Sequence, residues 1–227
     1  MIEMRLNGIP VQYILGHCKF MDIDLDVGPG VLIPRDDTEV LVRKTIDILK
    51  NSYNFSQKTL NIIDLCSGTG AIALSIKKVF ASKANVTALD FYEQPLKYLK
   101  SNILKNNLDV KVIQGSVFTY YKNFIDNQID CIISNPPYIP TKQLKFLHPD
   151  VQYEPTVALD GGADGLDFYR VIAKKWINKI KQGGIVALEI GINQKEAVCK
   201  ILKTAEIKDI YVYNDINNIP RGLIGKK

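Results

Sequence analysis

The sequence is poor in the residues that form disulfides and bind metals. Its 227 residues include four cysteines and two histidines. The cysteines stand at positions 18, 66, 131 and 199, so no two have the spacing of a zinc-binding pair. This composition argues against a metal site. It indicates free thiols, which are typical of proteins in a reducing cytoplasm.

Long apolar stretches are also absent. No run approaches the roughly 20 residues that are needed to cross a bilayer, and the opening segment lacks the apolar core of a signal peptide. The net charge of +5 is mild, and the basic side chains are scattered rather than clustered as in many DNA-binding proteins. We therefore expect a cytoplasmic protein with no membrane partner and no stable nucleic-acid binding.

An alternating segment opens the pattern of secondary structure. Residues 21–27 alternate apolar and acidic side chains, which predicts a half-buried strand. We expect residues 11–15 to be its partner in a hairpin that ends at the turn-prone residues 28–30. The three aspartates of the strand could be imagined as metal ligands. At every second position, however, they are better explained as one solvated face.

A helix is predicted after the hairpin. Asp36 and Glu39 have the spacing of a capping box, and apolar residues at helical spacing follow them. The polar residues 51–58 then separate this region from the rest of the chain. We thus predict an N-terminal hairpin and linking helix at residues 1–50 and a larger domain at residues 51–227.

Strand and helix patterns alternate after residue 59. Repeated βα units imply an α/β, Rossmann-like fold, with a mostly parallel sheet of seven strands and helices on both faces. Ligands of such sheets lie at the carboxyl ends of the strands. Strands are predicted at 60–65, 86–89, 110–113, 131–134, 185–190, 207–213 and 223–224. Helices are predicted at 69–82, 95–106, 166–180 (ended by Gly183-Gly184) and 194–204.

A glycine-rich turn follows the first of these strands. Glycines allow the backbone to approach a ligand closely, and an acid at the end of the second strand can bind a ribose. Cys66 stands where dinucleotide-binding turns have their first glycine. Asp64 lies at the end of the strand, where its carboxylate could bind the ammonium of a methionine tail. Both features favour an adenosyl cofactor with such a tail over a dinucleotide. Simpler alternatives are a turn without a ligand and a capping role for Asp90. The candidate cofactor contacts are Asp64, Cys66, Ser67, Gly68, Thr69, Gly70 and Asp90.

The tetrad Asn135-Pro136-Pro137-Tyr138 directly follows a predicted apolar strand. It therefore belongs to the same edge of the sheet as the glycine-rich turn. An amide or exocyclic amine nitrogen is a poor nucleophile because its lone pair is delocalised. The side-chain carbonyl of Asn135 and the backbone carbonyl of Pro136 can accept its N–H bonds, and Tyr138 can stack on its plane. The simpler alternative, a proline-rich turn, loses weight beside the glycine-rich turn.

Together these motifs resemble the HemK/PrmC family of protein-(glutamine) methyltransferases over almost the whole chain. Residues 8–16 resemble the opening segment of that family, and residues 32–39 resemble its Pro-Arg-x-x-Thr-Glu motif. Residues 154–169 resemble the segment after the tetrad, and residues 188–194 resemble a late strand. The set is specific, although the tetrad alone is shared with adenine-specific DNA methyltransferases.

The resemblance implies a class I methyltransferase fold with S-adenosylmethionine as cofactor and S-adenosylhomocysteine as product. It assigns the turn at residues 66–70 to the cofactor, Asp90 to the ribose and the tetrad to the substrate amide. Asn135 of the tetrad is also expected to contact the cofactor. Ser116 and Val117 would lie beside the adenine. Some relatives carry Asp-Trp at these two positions, so the adenine is expected to pack more loosely here.

The resemblance also implies roles for residues outside these motifs. Arg35 and Thr38, on the cofactor side, and Glu39 would help to close the pocket. Glu154, on the substrate side, would brace the tetrad loop. An alternative is that Arg35 and Glu39 form a simple i,i+4 ion pair that supports the fold.

The implied activity is methyl transfer to the glutamine of a Gly-Gly-Gln motif in peptide chain release factors, which are the expected partners. A rival is a DNA or RNA adenine-N6 methyltransferase, which uses the same tetrad on a flipped base; the sequence has no visible target-recognition region or basic channel. A second rival is a non-catalytic module that only binds the cofactor. A disrupted tetrad would favour this interpretation, but the tetrad is intact. The helical N-terminal domain of the family is expected to be missing or shortened. The chain is then a catalytic fragment or a short homologue with another partner.

Overall fold

A seven-stranded sheet forms the centre of the protein. The computed structural model describes residues 1–52, 59–215 and 217–227. The strands are β1 (His17–Phe20), β2 (Ile23–Asp26), β3 (Leu60–Leu65), β4 (Ala84–Asp90), β5 (Lys111–Gln114), β6 (Ile129–Ser134), β7 (Ile180–Glu189), β8 (Lys208–Asn214) and β9 (Pro220–Lys226). The central sheet has the order β5-β4-β3-β6-β7-β9-β8. In it, β9 runs in the direction opposite to the other six strands. The predicted mostly parallel sheet of seven strands is confirmed.

Helices cover both faces of this sheet. They are α1 (Ile2–Leu6), α2 (Val11–Leu15), α3 (Asp36–Ser52), α4 (Ala71–Phe80), α5 (Glu93–Lys105), α6 (Pro149–Gln152), α7 (Asp167–Val171) and α8 (Lys195–Thr204). One apolar core joins α3, α4 and α5 to the sheet, and a second core joins α7 and α8 to the opposite face. Within the described ranges, no helix is both long and apolar enough to cross a membrane.

Successive residues of the central strands enter opposite cores. Ile62 and Ile133 belong to the core under α3, α4 and α5, whereas Ile63 and Ile132 belong to the other. This follows from the two-residue period of a strand. Because helices cover both faces, the strands are continuous apolar runs rather than alternating ones. The same arrangement brings the carboxyl ends of β3, β4, β5 and β6 to one edge of the sheet.

The N-terminal hairpin differs from the prediction in its first strand. β1 pairs with β2 in antiparallel register, whereas residues 11–15, which were predicted to be the partner strand, form α2. Pro10 precedes this helix, and Gly16 follows it in a left-handed conformation with φ 78°, so both ends carry helix-boundary signals. The prediction is wrong because a segment of five residues, four of them apolar, is too short for periodicity to separate a strand from a helix.

A buried asparagine attaches the hairpin to α5. Asn102 donates from Nδ2 to the backbone carbonyls of Asp26 (3.2 Å) and Thr69 (3.0 Å). Its Oδ1 accepts from the backbone nitrogen of Asp26 at 2.7 Å. Thr69 belongs to the glycine-rich turn, so Asn102 joins the hairpin to the candidate cofactor site. Lys105, one turn further along α5, pairs with the carboxylate of Asp26 at 2.7 Å.

The region before residue 50 shares a core with the sheet. Phe20, Leu25 and Leu41 are buried in the same apolar cluster as Ile62 and Ile133. The division of the chain at residue 50 remains a proposal. Most of the polar stretch on which it depends, residues 53–58, lies outside the described residues.

The helix predicted at residues 166–180 is shorter and less regular than expected. After α7 the chain makes a π-helical turn (Ile172–Trp176) and a 3-10 turn (Ile177–Lys179), and β7 begins directly. The glycine pair expected after the helix lies inside β7 instead. A Cβ on Gly184 would stand 2.8 Å from the backbone oxygen of Asp130 on β6, and the register of the two strands shifts at this point. Glycine is therefore required by close strand contact and not by a helix end.

Candidate active site

A cavity of about 390 Å³ lies at the carboxyl edge of the sheet. It is bordered by the turns after β3, β4, β5 and β6. The predicted site residues that line it are Thr38, Cys66, Ser67, Gly68, Thr69, Asp90, Ser116, Val117, Asn135 and Pro137. The predicted residues outside its lining are Arg35, Asp64, Gly70, Pro136, Tyr138 and Glu154. The structure thus brings the two sequence motifs to one cavity.

The glycine-rich turn has left-handed backbone at every second residue. The φ angles are 59° at Cys66, 54° at Gly68 and 85° at Gly70. At Gly70 a Cβ would stand 2.3 Å from Cδ1 of Leu99, whereas at Gly68 the nearest atom would be Val31 Cγ2 at 3.9 Å. Gly70 is therefore fixed by packing against α5, while Gly68 borders the open cavity. A left-handed cysteine is uncommon and strained, which explains why glycine is usual at such turns.

Asp90 is held by the turn that it faces. Its Oδ2 accepts from the backbone nitrogen of Gly68 at 2.9 Å, and its Oδ1 accepts from that of Tyr92 at 3.1 Å. Burial raises the pKa of this carboxyl. Both oxygens retain lone pairs at the cavity wall, so the group can accept hydrogen bonds from a diol such as a ribose.

Asp64 is buried behind the same turn. Its Oδ2 accepts from the backbone nitrogen of Ala73 at 3.2 Å, and burial raises its pKa well above the ordinary value. Its Oδ1 is buried and has no hydrogen-bond partner among the described residues. A buried carboxylate oxygen without a donor is costly. The arrangement is suited to a cationic ligand group, such as the ammonium of a methionine tail.

Aromatic residues form one side of the cavity. Phe91 directly follows Asp90, and Phe118 directly follows Val117. Phe118 packs edge-on against Phe168, with ring centroids 5.0 Å apart. These rings supply an apolar wall beside the residues at which looser packing of the adenine was expected. Their positions directly after two predicted contacts, Asp90 and Val117, were the available signal.

The tetrad loop is held by groups distant in sequence. Asn135 donates from Nδ2 to Oγ1 of Thr38 at 3.1 Å. The hydroxyl of Thr38 donates to Oε2 of Glu189, and that of Tyr138 donates to Oε1 of the same carboxylate at 3.2 Å. Glu189 is 2% exposed. From the sequence alone it is recognisable only as part of a late strand.

A second segment packs directly on the backbone of the tetrad loop. Ile139 pairs with Asp160 in a parallel bridge. A Cβ on Gly161 would stand 2.7 Å from Cα of Tyr138, and one on Gly165 would stand 2.3 Å from its backbone oxygen. Gln194 donates to that oxygen at 2.8 Å. The glycines are therefore required by the close approach of two backbones.

Arg35 and Glu154 pair with each other outside the lining of the cavity. Glu154 also accepts from the backbone nitrogen of Ile33 at 3.0 Å. Burial raises the pKa of Glu154, against the effect of the Arg35 guanidinium. The proposed i,i+4 pair of Arg35 and Glu39 is not formed, because Glu39 accepts from Arg43 at 3.0 Å and from the backbone nitrogen of Met21 at 2.5 Å. The capping-box prediction fails for the same reason, although α3 begins at Asp36 as expected.

Comparison with known proteins connects this geometry to a family. The family described as "Methyltransferase small domain" matches residues 39–148. A methyltransferase from Pyrococcus furiosus has the same fold, with a TM-score of 0.63 at 19% identity, over 91% of this chain and 90% of that one.

Two relatives are similar over the full chain. A release factor glutamine methyltransferase of Thermodesulfovibrio yellowstonii is 39% identical, over 100% of this chain and 80% of the relative. One of Clostridium botulinum is 37% identical, over 100% of this chain and 79% of the relative. Identity at this level, over all of this chain and about four-fifths of each relative, means that the chain belongs to the release factor glutamine methyltransferase family.

Proposed function

We propose that this protein transfers the methyl group of S-adenosylmethionine to the side-chain amide nitrogen of the glutamine in the Gly-Gly-Gln motif of peptide chain release factors. One observation supports it most directly. Asn135 lines the cavity, and its Nδ2 is engaged by Thr38, so its carbonyl oxygen is left to accept from a substrate amide. The adenine-N6 alternative is not favoured, because the relatives that are similar over the whole of this chain are named release factor glutamine methyltransferases. Action on release factors also implies a cytoplasmic location.

The residues around the cavity fit the cofactor. The turn at residues 66–70 would hold its methionine chain, Asp90 would hold its ribose, and Ser116 and Val117 with the neighbouring phenylalanines would contact the adenine. Asp64 lies behind the turn, outside the lining of the cavity, and would attract the ammonium of the methionine chain from there. When bound, the cofactor supplies a methyl group on a sulfonium, which makes that carbon an electrophile. The apolar part of the cavity wall would limit the access of water to the reacting atoms, which strengthens electrostatic interactions within the site.

The tetrad would hold and orient the substrate amide. The carbonyl oxygens of Asn135 and Pro136 accept from its two N–H bonds, which favours localisation of the nitrogen lone pair. Pro137 fixes the backbone of the loop. Burial and the nearby Glu189 carboxylate raise the pKa of Tyr138, so its hydroxyl stays protonated and its ring can stack on the amide plane. Positioning and preorganised acceptors thus account for the methyl transfer. The amide nitrogen loses one of its two N–H protons as it gains the methyl group, and this proton passes to solvent.

The direct test is methyl transfer from labelled S-adenosylmethionine to three acceptors: a purified release factor, a short Gly-Gly-Gln peptide and duplex DNA. We expect label on the release factor and on the peptide. A Gly-Gly-Glu release factor is the matched control and should take no label. Label on DNA alone would contradict the proposal. Label on the peptide but not on the protein would mean that this chain carries the chemistry but needs a further region for docking.

Replacing Asp90 by alanine should weaken cofactor binding about 10- to 100-fold, since it removes a charge-assisted hydrogen bond worth about 1.5–3 kcal/mol. It also removes the acceptor that holds Gly68. Isothermal titration with S-adenosylhomocysteine measures the change. Asp109→Ala, at an exposed position outside the cavity, is the control and should bind as the wild type does. Equal affinity in the two variants would exclude the ribose contact.

A further inference from the structure

Glu189 is the last residue of β7 and is placed where two hydroxyls converge. Both of its carboxylate oxygens accept hydrogen bonds, one from Thr38 and one from Tyr138. Thr38 is itself 3% exposed. A carboxylate with two O–H donors and little contact with water is a fixed acceptor, and it determines where the proton of each hydroxyl points.

The direction of the Thr38 hydroxyl in turn determines which group of the Asn135 amide can face it. A threonine has one O–H proton, and here it is donated to Glu189. The oxygen of Thr38 can therefore only accept from Asn135, which it does from Nδ2 at 3.1 Å. The reverse orientation of the amide would put two acceptor oxygens against each other. The carbonyl oxygen of Asn135 consequently points away from Thr38.

We propose that Glu189 and Thr38 are positioning residues that fix the orientation of the Asn135 amide, so that it presents its carbonyl and not its NH₂ group to the methyl acceptor. This inference rests on the proposed function, in which the acceptor nitrogen donates its N–H bonds to Asn135. Neither residue touches the substrate in this scheme. If Glu189 is neutral, the proton of Thr38 is no longer committed to it, and the NH₂ group can turn towards the cavity.

The scheme predicts how turnover depends on pH. Burial raises the pKa of Glu189 to about 7, against the effect of its hydrogen bonds from Thr38 and Tyr138. The working form is the carboxylate, so turnover should be full above this pKa and fall as the pH falls through it. Positive charge on the bound cofactor favours the ionised form of Glu189 and would move the fall in turnover to lower pH. The other charged or titratable groups around Glu189 are Asp37 on α3, Tyr169 on α7, Tyr213 on β8 and Arg221 on β9.

The test compares kcat, KM and cofactor affinity between pH 5.5 and 9 for the wild type and four variants. Glu189→Gln should lower kcat about 10- to 100-fold at pH 8, as for other groups that orient the ligands of a site, and should lose the acidic break. Thr38→Val should lower kcat to a similar extent, and Thr38→Ser, which keeps the hydroxyl, should regain most of the loss. Glu196→Gln removes an exposed carboxylate of α8 and is the control. The cofactor affinity of Glu189→Gln, measured by calorimetry, should change less than about threefold, within the scatter for a residue without ligand contact.

A second readout requires no substrate. The side-chain ¹⁵N–¹H₂ signals of Asn135, identified by their loss in Asn135→Asp, should shift across the Glu189 titration in the wild type and stay constant in Glu189→Gln. Constant signals in the wild type, or unchanged turnover in Glu189→Gln, would overturn the positioning role. Failure of the proposed function has a different signature. The wild type would then label no glutamine at any pH, while the Asn135 signals would still report on the orientation of the amide.

Discussion

Replacement of Asn135 by alanine is expected to lower the rate of methyl transfer about 100-fold or more, the scale seen when a preorganised polar group of an active site is lost. The side chain accepts from the substrate amide in the proposed scheme, and water cannot restore an acceptor of fixed direction. Cofactor affinity should stay within about threefold, because Asp90 and the glycine-rich turn are untouched. Single-turnover kinetics and calorimetry measure the two quantities separately.

The matched control for this variant is Asn123→Ala. Asn123 is exposed and outside the cavity, so its loss should change neither rate nor affinity. Two results would contradict the role given to Asn135: turnover like that of the wild type, or a parallel loss of cofactor binding, which would mean that the residue serves the cofactor instead of the acceptor. Asn135→Asp is a further variant to compare, since its carboxylate retains an acceptor but repels the carboxylate of Glu189.

The second large effect is on stability. Trp176→Ala should lower the free energy of unfolding by about 3–5 kcal/mol, the range for a large buried side chain cut to alanine. Trp176 is fully buried, packs against Phe124 with centroids 5.3 Å apart, and donates from Nε1 to the backbone oxygen of Val117 at 2.8 Å. Because Val117 lines the cavity, loss of this anchor should also weaken cofactor binding.

Urea denaturation followed by circular dichroism is the appropriate measurement, since Trp176 is the only tryptophan of the chain and its fluorescence disappears in the variant. Trp176→Phe keeps much of the volume but removes the donor, so the expected loss is smaller, about 1–3 kcal/mol. Phe146→Ala is the control. That ring is 76% exposed, and its removal should cost less than about 0.5 kcal/mol. A loss in Trp176→Ala no larger than in the control would mean that the side chain is not part of the core.

The architecture was predictable because its strands are buried on both faces. Residues 60–65 and 131–134 form short, mainly apolar runs, and strand and helix patterns alternate along this part of the chain. Parallel strands bring their carboxyl ends to one edge, so the glycine-rich turn and the tetrad could be expected to meet there. The structure brings both to one cavity. The activity of each residue remains a proposal.

What could not be predicted depends on contacts between distant parts of the chain. Thr38 and Glu189 are 151 residues apart, and Arg35 and Glu154 are 119 residues apart. Before the fold is known, an acid four residues from Arg35 is the reasonable partner, and it was the wrong one. Local signals also fail in short segments: the five mainly apolar residues before Gly16 fit a strand and a helix equally well.

The position of β9 has a consequence for biosynthesis. β9 lies between β7 and β8 although it follows both in the chain, so β8 is translated before the strand that will join it to the sheet. Until then the outer edge of β7 stays open to wrong partners on the ribosome or in solution. Glu189 pairs with Gly222 of β9. A nascent chain could thus assemble the cofactor turn early, but the acceptor that orients Asn135 would gain its final neighbour only when β9 has emerged.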